Sequence, residues 1–266
     1  GREKFLPFNI LTIWPAMMLK IPVIKMAQAM GPFKHPLNRL TSKFFLPRCK
    51  TVFARGDITL QNLKSLQLKN IIRSTDTAFL YKPEDNLTEE NEDLVEGFVT
   101  KLQQFKKEGR TIIAISPSSL VYSKSTAYLG QLTNMVKELS GQNVRLIFLA
   151  NSNRQSTDAS NNNDLVVLQA LQDEIKRSLP EWIFRNTEWA IWDANTRTLR
   201  EFIKLSDMLI TSRFHAMVSG LSLGIPVMVI GWSHKYTEVL SDFGLEEYAI
   251  DYEQEGIDLV EKANDL

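Results

Sequence analysis

Residues 207–235 constrain the fold of this chain more than any other stretch. Residues 208–211 are a short apolar run, Ser212 is a good N-cap, and Phe214, Met217, Val218 and Leu221 then recur at the helical spacing i, i+3, i+4, i+7. Gly224 stops that helix and Pro226 follows. Residues 227–230 then give a second apolar run, short enough for a strand covered on both faces. The pattern is one βαβ unit.

Two parallel strands joined by a helix end on the same edge of their sheet, and ligands of open α/β sheets bind outside that edge. Arg213 and His215 are therefore expected near His234 and Lys235. The pattern also puts Arg213 and His215 in the first turn of the helix, where backbone N–H groups and the positive end of the dipole favour an anion. Taken singly, each of these side chains reads most simply as a solvated surface group. Their grouping at one sheet edge points to phosphate or carboxylate binding.

The same strand–helix rhythm runs through the rest of the chain, as in a doubly wound α/β protein. Residues 22–28, 51–55 and 71–72 are strand candidates in the first part. Gly31-Pro32 marks a sharp turn after the first of them. Asp57 is a candidate cap for a helix carrying Leu60, Leu63 and Leu66. Arg55, at a strand end, either reaches an anion or pairs with Asp57, and pairing is the simpler reading. Asp76 follows the third strand, where a carboxylate accepts a hydroxyl proton or merely caps a turn.

Residues 82–92 combine Pro83 with Asp, Asn and several Glu and read as a linker. It divides the chain into domains over 1–84 and 85–266. An amphipathic helix over 93–107 is ended by Gly109. Strands over 111–115 and 144–150 are each followed by a polar loop, Ser116-Pro117-Ser118-Ser119 and Asn151-Ser152-Asn153. Ser118 and Asn151 are candidate hydrogen-bond partners for a sugar or phosphate, with ordinary turns as the simpler reading. A helix opening at 161–164 carries Leu165, Leu168, Leu171 and Ile175. Residues 189–192 read as a strand whose tryptophans belong to the core or to a sugar-facing surface. A helix through Leu199, Phe202 and Ile203 leads into the 207–235 unit. A short helix over 237–243 and an acidic helical tail from 251 follow.

Composition narrows the function. Of 266 residues, 31 are Lys or Arg and 31 are Asp or Glu, a balance that argues against a general nucleic-acid or anionic-membrane binder. Cys49 is the only cysteine, so no internal disulfide is available and a reducing, cytoplasmic setting is expected. The most apolar stretch, 5–24, is broken by Pro7, Asn9, Pro15, Lys20 and Pro22, well short of the ~20 apolar residues of a membrane span. It also lacks the pattern of a signal peptide. His35, His215 and His234 show no metal-ligand spacing, so no metal or other cofactor is expected.

Four ordered blocks resemble one known family. They are Gln28-Ala29-Met30-Gly31-Pro32-Phe33, Ala54-Arg55 with Thr59, Asp76-Thr77-Ala78-Phe79, and Thr211-Ser212-Arg213-Phe214-His215 with Gly224-Ile225-Pro226 and the Lys235 that precedes Phe243-Gly244-Leu245. Together they are similar to the polysaccharide pyruvyl transferases over about residues 20–250. The resemblance implies two Rossmann-like doubly wound domains of the GT-B type, phosphoenolpyruvate as donor substrate, and transfer of pyruvate as a ketal onto sugar hydroxyls of a glycan. It also implies that the Gln28–Phe33 loop faces an interdomain cleft. Against that pattern, 8–20 corresponds to a late helix and 22–28 to a mid-domain strand. The N-terminal domain is then expected to be partial.

In this scheme Arg213, the helix N-terminus, Lys235 and His234 hold the donor's anionic groups, and His215 gives a proton to the methylene carbon and later accepts one from the sugar hydroxyl. Ser118, Asn151, Arg55 and Asp76 are further substrate-binding candidates. Two alternatives stand beside it. One is a GT-B glycosyltransferase using a nucleotide-sugar, hinted at by Glu238 and Glu246 but interrupted by Gly244. The other is a non-catalytic glycan- or anion-binding protein of the same fold. A membrane is reached, if at all, through a lipid-linked acceptor at its surface. The acceptor sugar and the oligomeric state are not readable from these residues.

Overall fold

The computed structural model describes residues 11–82, 91–140, 143–153, 162–231, 234–253 and 259–266, with the His234 side chain outside that set. The chain divides into two compact units, Gly1–Tyr81 and Lys82–Leu266. The linker expected over 82–92 lies almost wholly outside the described residues.

In the first unit α1 (Trp14–Met18), β1 (Ile24–Gln28), α2 (Pro36–Phe45), β2 (Thr51–Arg55), α3 (Gly56–Lys64) and β3 (Ile71–Ser74) follow in order. The strands pair in parallel as β1-β2-β3. Of the helix expected over 8–20, residues 8–10 lie outside the described residues, and α1 covers Trp14–Met18 with Pro15 fixing its first turn. Val52, Ala54 and Leu63 are fully buried, and Met30, Phe33, Leu46 and Cys49 close around them. Burial raises the Cys49 thiol above its ordinary value.

The loop after β1 turns at Gly31, whose φ of 92° suits glycine. A Cβ there would lie 2.7 Å from Asn62, the residue whose Nδ2 donates to Met30 O at 3.1 Å. The expected pairing of Arg55 with Asp57 is not what forms. Arg55 Nη1 donates to Asp76 Oδ2 at 2.8 Å, both side chains mostly buried, and Asp57 pairs with Arg73 at 2.8 Å on the surface. The reason is register: β2 and β3 are parallel with Arg55 opposite Ser74, which brings Asp76 level with the end of Arg55. Asp57 lies in the first turn of α3 and does not cap it.

The second unit runs α4 (Glu92–Lys107), β4 (Thr111–Ser116), α5 (Ser119–Tyr122), α6 (Tyr128–Ser140), β5 (Val144–Leu149), α7 (Asp164–Ser178), α8 (Glu181–Phe184), β6 (Thr187–Ala190), α9 (Thr196–Lys204), β7 (Met208–Thr211), α10 (Phe214–Ser222), β8 (Val227–Gly231), α11 (His234–Ser241), β9 (Ala249–Asp251) and α12 (Leu259–Asp265). Its six strands are all parallel, in the order β6-β5-β4-β7-β8-β9. The chain starts in the middle at β4, works outward to β6, and returns to β7 beside β4. That reversal is a topological switch point, where the loops after β4 and β7 diverge and leave a crevice.

Helices cover both faces of this sheet, which is why its strands read as unbroken apolar runs. Ile113, Ile115, Leu146, Phe148 and Ile210 pack with Leu132, Met135 and Val136 of α6 and Leu168 and Leu171 of α7. On α4 and α9, Phe98 and Phe202 meet at 4.7 Å between ring centroids. The tryptophans near β6 join this packing. Trp189 stacks on Phe148 at 4.0 Å, and Trp192 meets Phe98 edge-on at 5.6 Å. The β9 strand was not anticipated; three residues are too few to show a period. Gly244 has φ +69°, and α11 ends before it, so Glu238 and Glu246 do not share a helix.

Candidate functional site

The site is built at the switch point, from the carboxyl ends of β4, β5 and β7. Ser116 and Thr211 are register partners at the ends of β4 and β7. Thr211 Oγ1 donates to Ser116 O at 3.0 Å and accepts from Arg213 N at 3.0 Å, so the turn into α10 is fixed from both sides. Ser212 was expected to cap α10, but the cap position is Arg213, in extended conformation and without a side-chain cap bond. Ser212 is buried and engaged elsewhere. Its N–H donates to Ser116 O at 3.0 Å, and its Oγ meets the Tyr128 hydroxyl at 2.7 Å. Tyr236 OH donates to Ser212 O at 3.2 Å.

Both tyrosines are neutral anchors. Burial raises the Tyr128 phenol strongly and pushes Tyr236 up to about 12, since neither ring environment can solvate a phenolate.

The largest departure from the sequence reading concerns Arg213. Its guanidinium does not stand open at the sheet edge but is held by Asp164, the first residue of α7. Asp164 is fully buried. Oδ1 accepts from Ser119 N at 3.0 Å and Arg213 Nε at 3.0 Å, and also bonds Arg213 Nη2. Oδ2 accepts from Ser152 N at 2.9 Å and Arg213 Nε at 2.9 Å. A buried carboxylate without such donors would be costly, and this one is satisfied by two backbone amides and one guanidinium. Arg213 Nη2 also donates to Ser119 Oγ at 3.1 Å, and Nη1 donates to the exposed Asn162 Oδ1 at 3.3 Å. The side chain keeps 14% exposure, with most of its donors committed.

His215 occupies the second residue of α10 and is exposed, its ring edge-on to Phe214 at 5.8 Å. Lys235, half-buried in the first turn of α11, holds its Nζ 5.0 Å from the Phe214 ring centroid and 4.9 Å from that of Tyr236. The starts of α10 and α11 are thus neighbours through Phe214, which both His215 and Lys235 meet, while the Arg213 guanidinium is bonded to Asp164, Ser119 and Asn162. The His234 side chain lies outside the described residues.

Ser118 is buried, and its hydroxyl oxygen accepts from Leu120 N at 3.2 Å, so it caps the turn of α5 rather than facing a ligand. Its N–H donates to Tyr128 OH at 3.4 Å. Asn151 follows β5, half-buried. Arg55 and Asp76 belong to the first unit, where they bond each other and Asp76 Oδ1 accepts from Ala78 N at 2.9 Å. Among the described residues no group of three or more His, Cys, Asp or Glu is arranged to hold a metal, and no helix is long and apolar enough to cross a membrane.

The sequence marks Asp164 only as part of a helix opening. The signal available was its place at the start of the helix following β5, the strand next to β4. A carboxylate there lies on the same sheet edge as Arg213, but its partner is 49 residues away.

The family model described as polysaccharide pyruvyl transferase matches residues 2–234, most of the chain, including the ends of β4, β5 and β7. This chain belongs to the polysaccharide pyruvyl transferase family. Among its relatives is the amylovoran biosynthesis protein AmsJ of Erwinia amylovora, 21% identical over 242 residues, which cover 89% of this chain and 55% of AmsJ. The chain therefore spans about half the length of this relative. Among solved structures it is similar to the UDP-GlcNAc 2-epimerase of Methanocaldococcus jannaschii, with 14% identity and a TM-score of 0.52 over 81% of this chain and 56% of that one. The Neisseria meningitidis UDP-GlcNAc 2-epimerase gives 15% identity and a TM-score of 0.50 over 85% and 57%. At such identities the likeness establishes architecture alone: the family member described here is an α/β protein of Rossmann-like, GT-B type.

Proposed function

We propose that this family member binds phosphoenolpyruvate at the β4–β7 crevice and acts in transfer of its pyruvyl group to sugar hydroxyls of a glycan, forming a ketal and releasing phosphate. The observation that carries the reading is the placement of Arg213, His215 and Lys235 on the neighbouring N-terminal ends of α10 and α11, after the carboxyl ends of β7 and β8. A small metabolite with a phosphate and a carboxylate needs fixed cations and N–H donors, and this edge offers both.

The chemistry assigns a task to each group. Protonation of the donor's methylene carbon makes C2 electrophilic, and a sugar hydroxyl adds there as its proton is taken up. The C2–O bond to phosphate then breaks, and a second hydroxyl adds to C2 with loss of its proton. We assign the giving and taking of these protons to His215, an exposed imidazole in the first turn of a helix. Lys235 and the Arg213 Nη1 edge neutralise the anionic groups, while Asp164 offsets part of the Arg213 charge.

The test is calorimetric titration of phosphoenolpyruvate, with UDP-GlcNAc as the comparison ligand, followed by phosphate release across a glycan panel. Saturable binding of phosphoenolpyruvate, weakened in Lys235→Ala, supports the reading. Binding of the nucleotide-sugar alone would replace it with glycosyl transfer.

A further inference from the structure

We infer that Asp164 is the positioning residue of the donor site, acting through Arg213 and resting on the reading that the β4–β7 crevice takes an anionic donor. Three features carry this. First, its carboxylate is bonded at once to residues that follow three strand ends: Ser119 N after β4, Ser152 N after β5, and Arg213 after β7. Second, it is fully buried while Arg213 is 14% exposed, so the pair has an inner member that fixes and an outer member that keeps some contact with solvent. Third, the bonding is asymmetric within the guanidinium. Nε and Nη2 are consumed by Asp164 and Ser119, leaving Nη1, bonded to the exposed Asn162 amide at 3.3 Å, as the amino group for a ligand oxygen to take.

The consequence is specific. A long, flexible side chain becomes a preorganised donor, because the rotamer freedom that an anion would otherwise have to freeze is already removed. Arginine is required at 213, since its planar fork spans the inner carboxylate and an outer ligand at once; a lysine ammonium engages one or the other. The local charge is that of a compensated pair, so Lys235 and the start of α10 supply the net attraction and Arg213 supplies geometry.

The test is a double-mutant cycle on the dissociation constant for phosphoenolpyruvate, measured by calorimetry with wild type, Asp164→Asn, Arg213→Gln and the double variant, each checked for folding by urea midpoint. Wild type must bind first; if it does not, the proposed function fails and not this inference. In folded variants, Asp164→Asn is expected to weaken donor binding by roughly tenfold or more, the scale of a lost charged hydrogen bond. The double variant is expected to be no weaker than Arg213→Gln alone, since Asp164 acts only through Arg213. In turnover the loss should fall on KM for phosphoenolpyruvate and leave kcat at saturating donor within about twofold. Wild-type affinity in a folded Asp164→Asn, or losses that simply add, would overturn the assignment. Should Asp164→Asn not fold, Ser119→Ala decides, as it removes only the hydroxyl that steadies Nη2. It should fold and weaken the donor by roughly threefold or more, and unchanged affinity there would equally overturn the assignment.

Discussion

Arg213 and His215 stand two residues apart and yet differ in what their removal does. Arg213 is the partner of a fully buried carboxylate, so Arg213→Ala strands Asp164 without its counter-ion and should lower unfolding free energy by about 3–5 kcal/mol. Loss of activity in that variant alone is therefore no proof of a donor contact. His215 is exposed, and its ring contact is with the neighbouring Phe214, so His215→Ala should leave stability within about 0.5 kcal/mol while turnover falls by roughly a hundredfold. Urea denaturation read beside phosphate release separates the two residues. A large loss of stability in His215→Ala would mean that its place in the structure is misjudged.

Tyr236 adds a pH dependence at the same scale. Its folded value, pushed up to about 12 by burial, lies above the ordinary phenol value of about 10, so the folded state holds the proton more tightly than the unfolded chain. The contribution is complete below about pH 10 and is lost as pH rises towards 12, at about 1.4 kcal/mol per pH unit within that window. Tyr128, raised in the same direction, acts alongside it. Urea midpoints from pH 8 to 11.5 should be flat and then fall, and Tyr236→Phe should fall less steeply. An identical slope in that variant would remove Tyr236 from the account.

At the scale of elements, α10 shows how a helix is brought close enough to a sheet to aim its first turn. Gly220 lies where a Cβ would come within 2.7 Å of Val227 Cγ2 and 2.9 Å of Leu209 Cδ2, on the two strands that flank the helix. Gly220→Val should cost about 1–3 kcal/mol through overpacking and shift the start of α10, weakening donor binding along with stability. A neutral result by thermal melt would show slack in that interface.

The elements themselves were largely legible. Strand β4 stands where the apolar run at 111–115 puts it, because a parallel sheet covered on both faces leaves a contiguous apolar signature, and β2 stands over 51–55 with alternate residues, Val52 and Ala54, buried. The packing helix of 207–235 was readable from Phe214, Met217, Val218 and Leu221, all buried. Its first residue was not. Ser212 has the chemistry of an N-cap, but Tyr128, 84 residues away, takes its hydroxyl, and a local propensity gave way to a tertiary bond. Asp164 was hidden for the same reason. Arg55, Asp57, Arg73 and Asp76 were all visible, but which acid meets which base depends on the register of β2 against β3.

At the scale of the molecule, the second unit has its own six-stranded sheet, helices on both faces and a core from Ile113 to Ala263. Residues 82–266 expressed alone should fold cooperatively, with a single urea transition and dispersed NMR signals, and should keep the Tyr128–Ser212 and Asp164–Arg213 networks, which lie wholly within them. A molten or unfolded fragment would show that the division at Tyr81 does not mark an independent folding unit.

The proposed site for a small metabolite bearing phosphate and carboxylate lies at the start of α10, braced by Asp164 through Arg213, and the neighbouring start of α11. Its most direct test is calorimetric titration of phosphoenolpyruvate into the folded chain and into folded His215→Ala and Lys235→Ala variants. Saturable binding by the wild-type chain, weakened in Lys235→Ala and nearly retained in His215→Ala, is the predicted result. A folded wild-type chain that ignores phosphoenolpyruvate but binds UDP-GlcNAc saturably would contradict it.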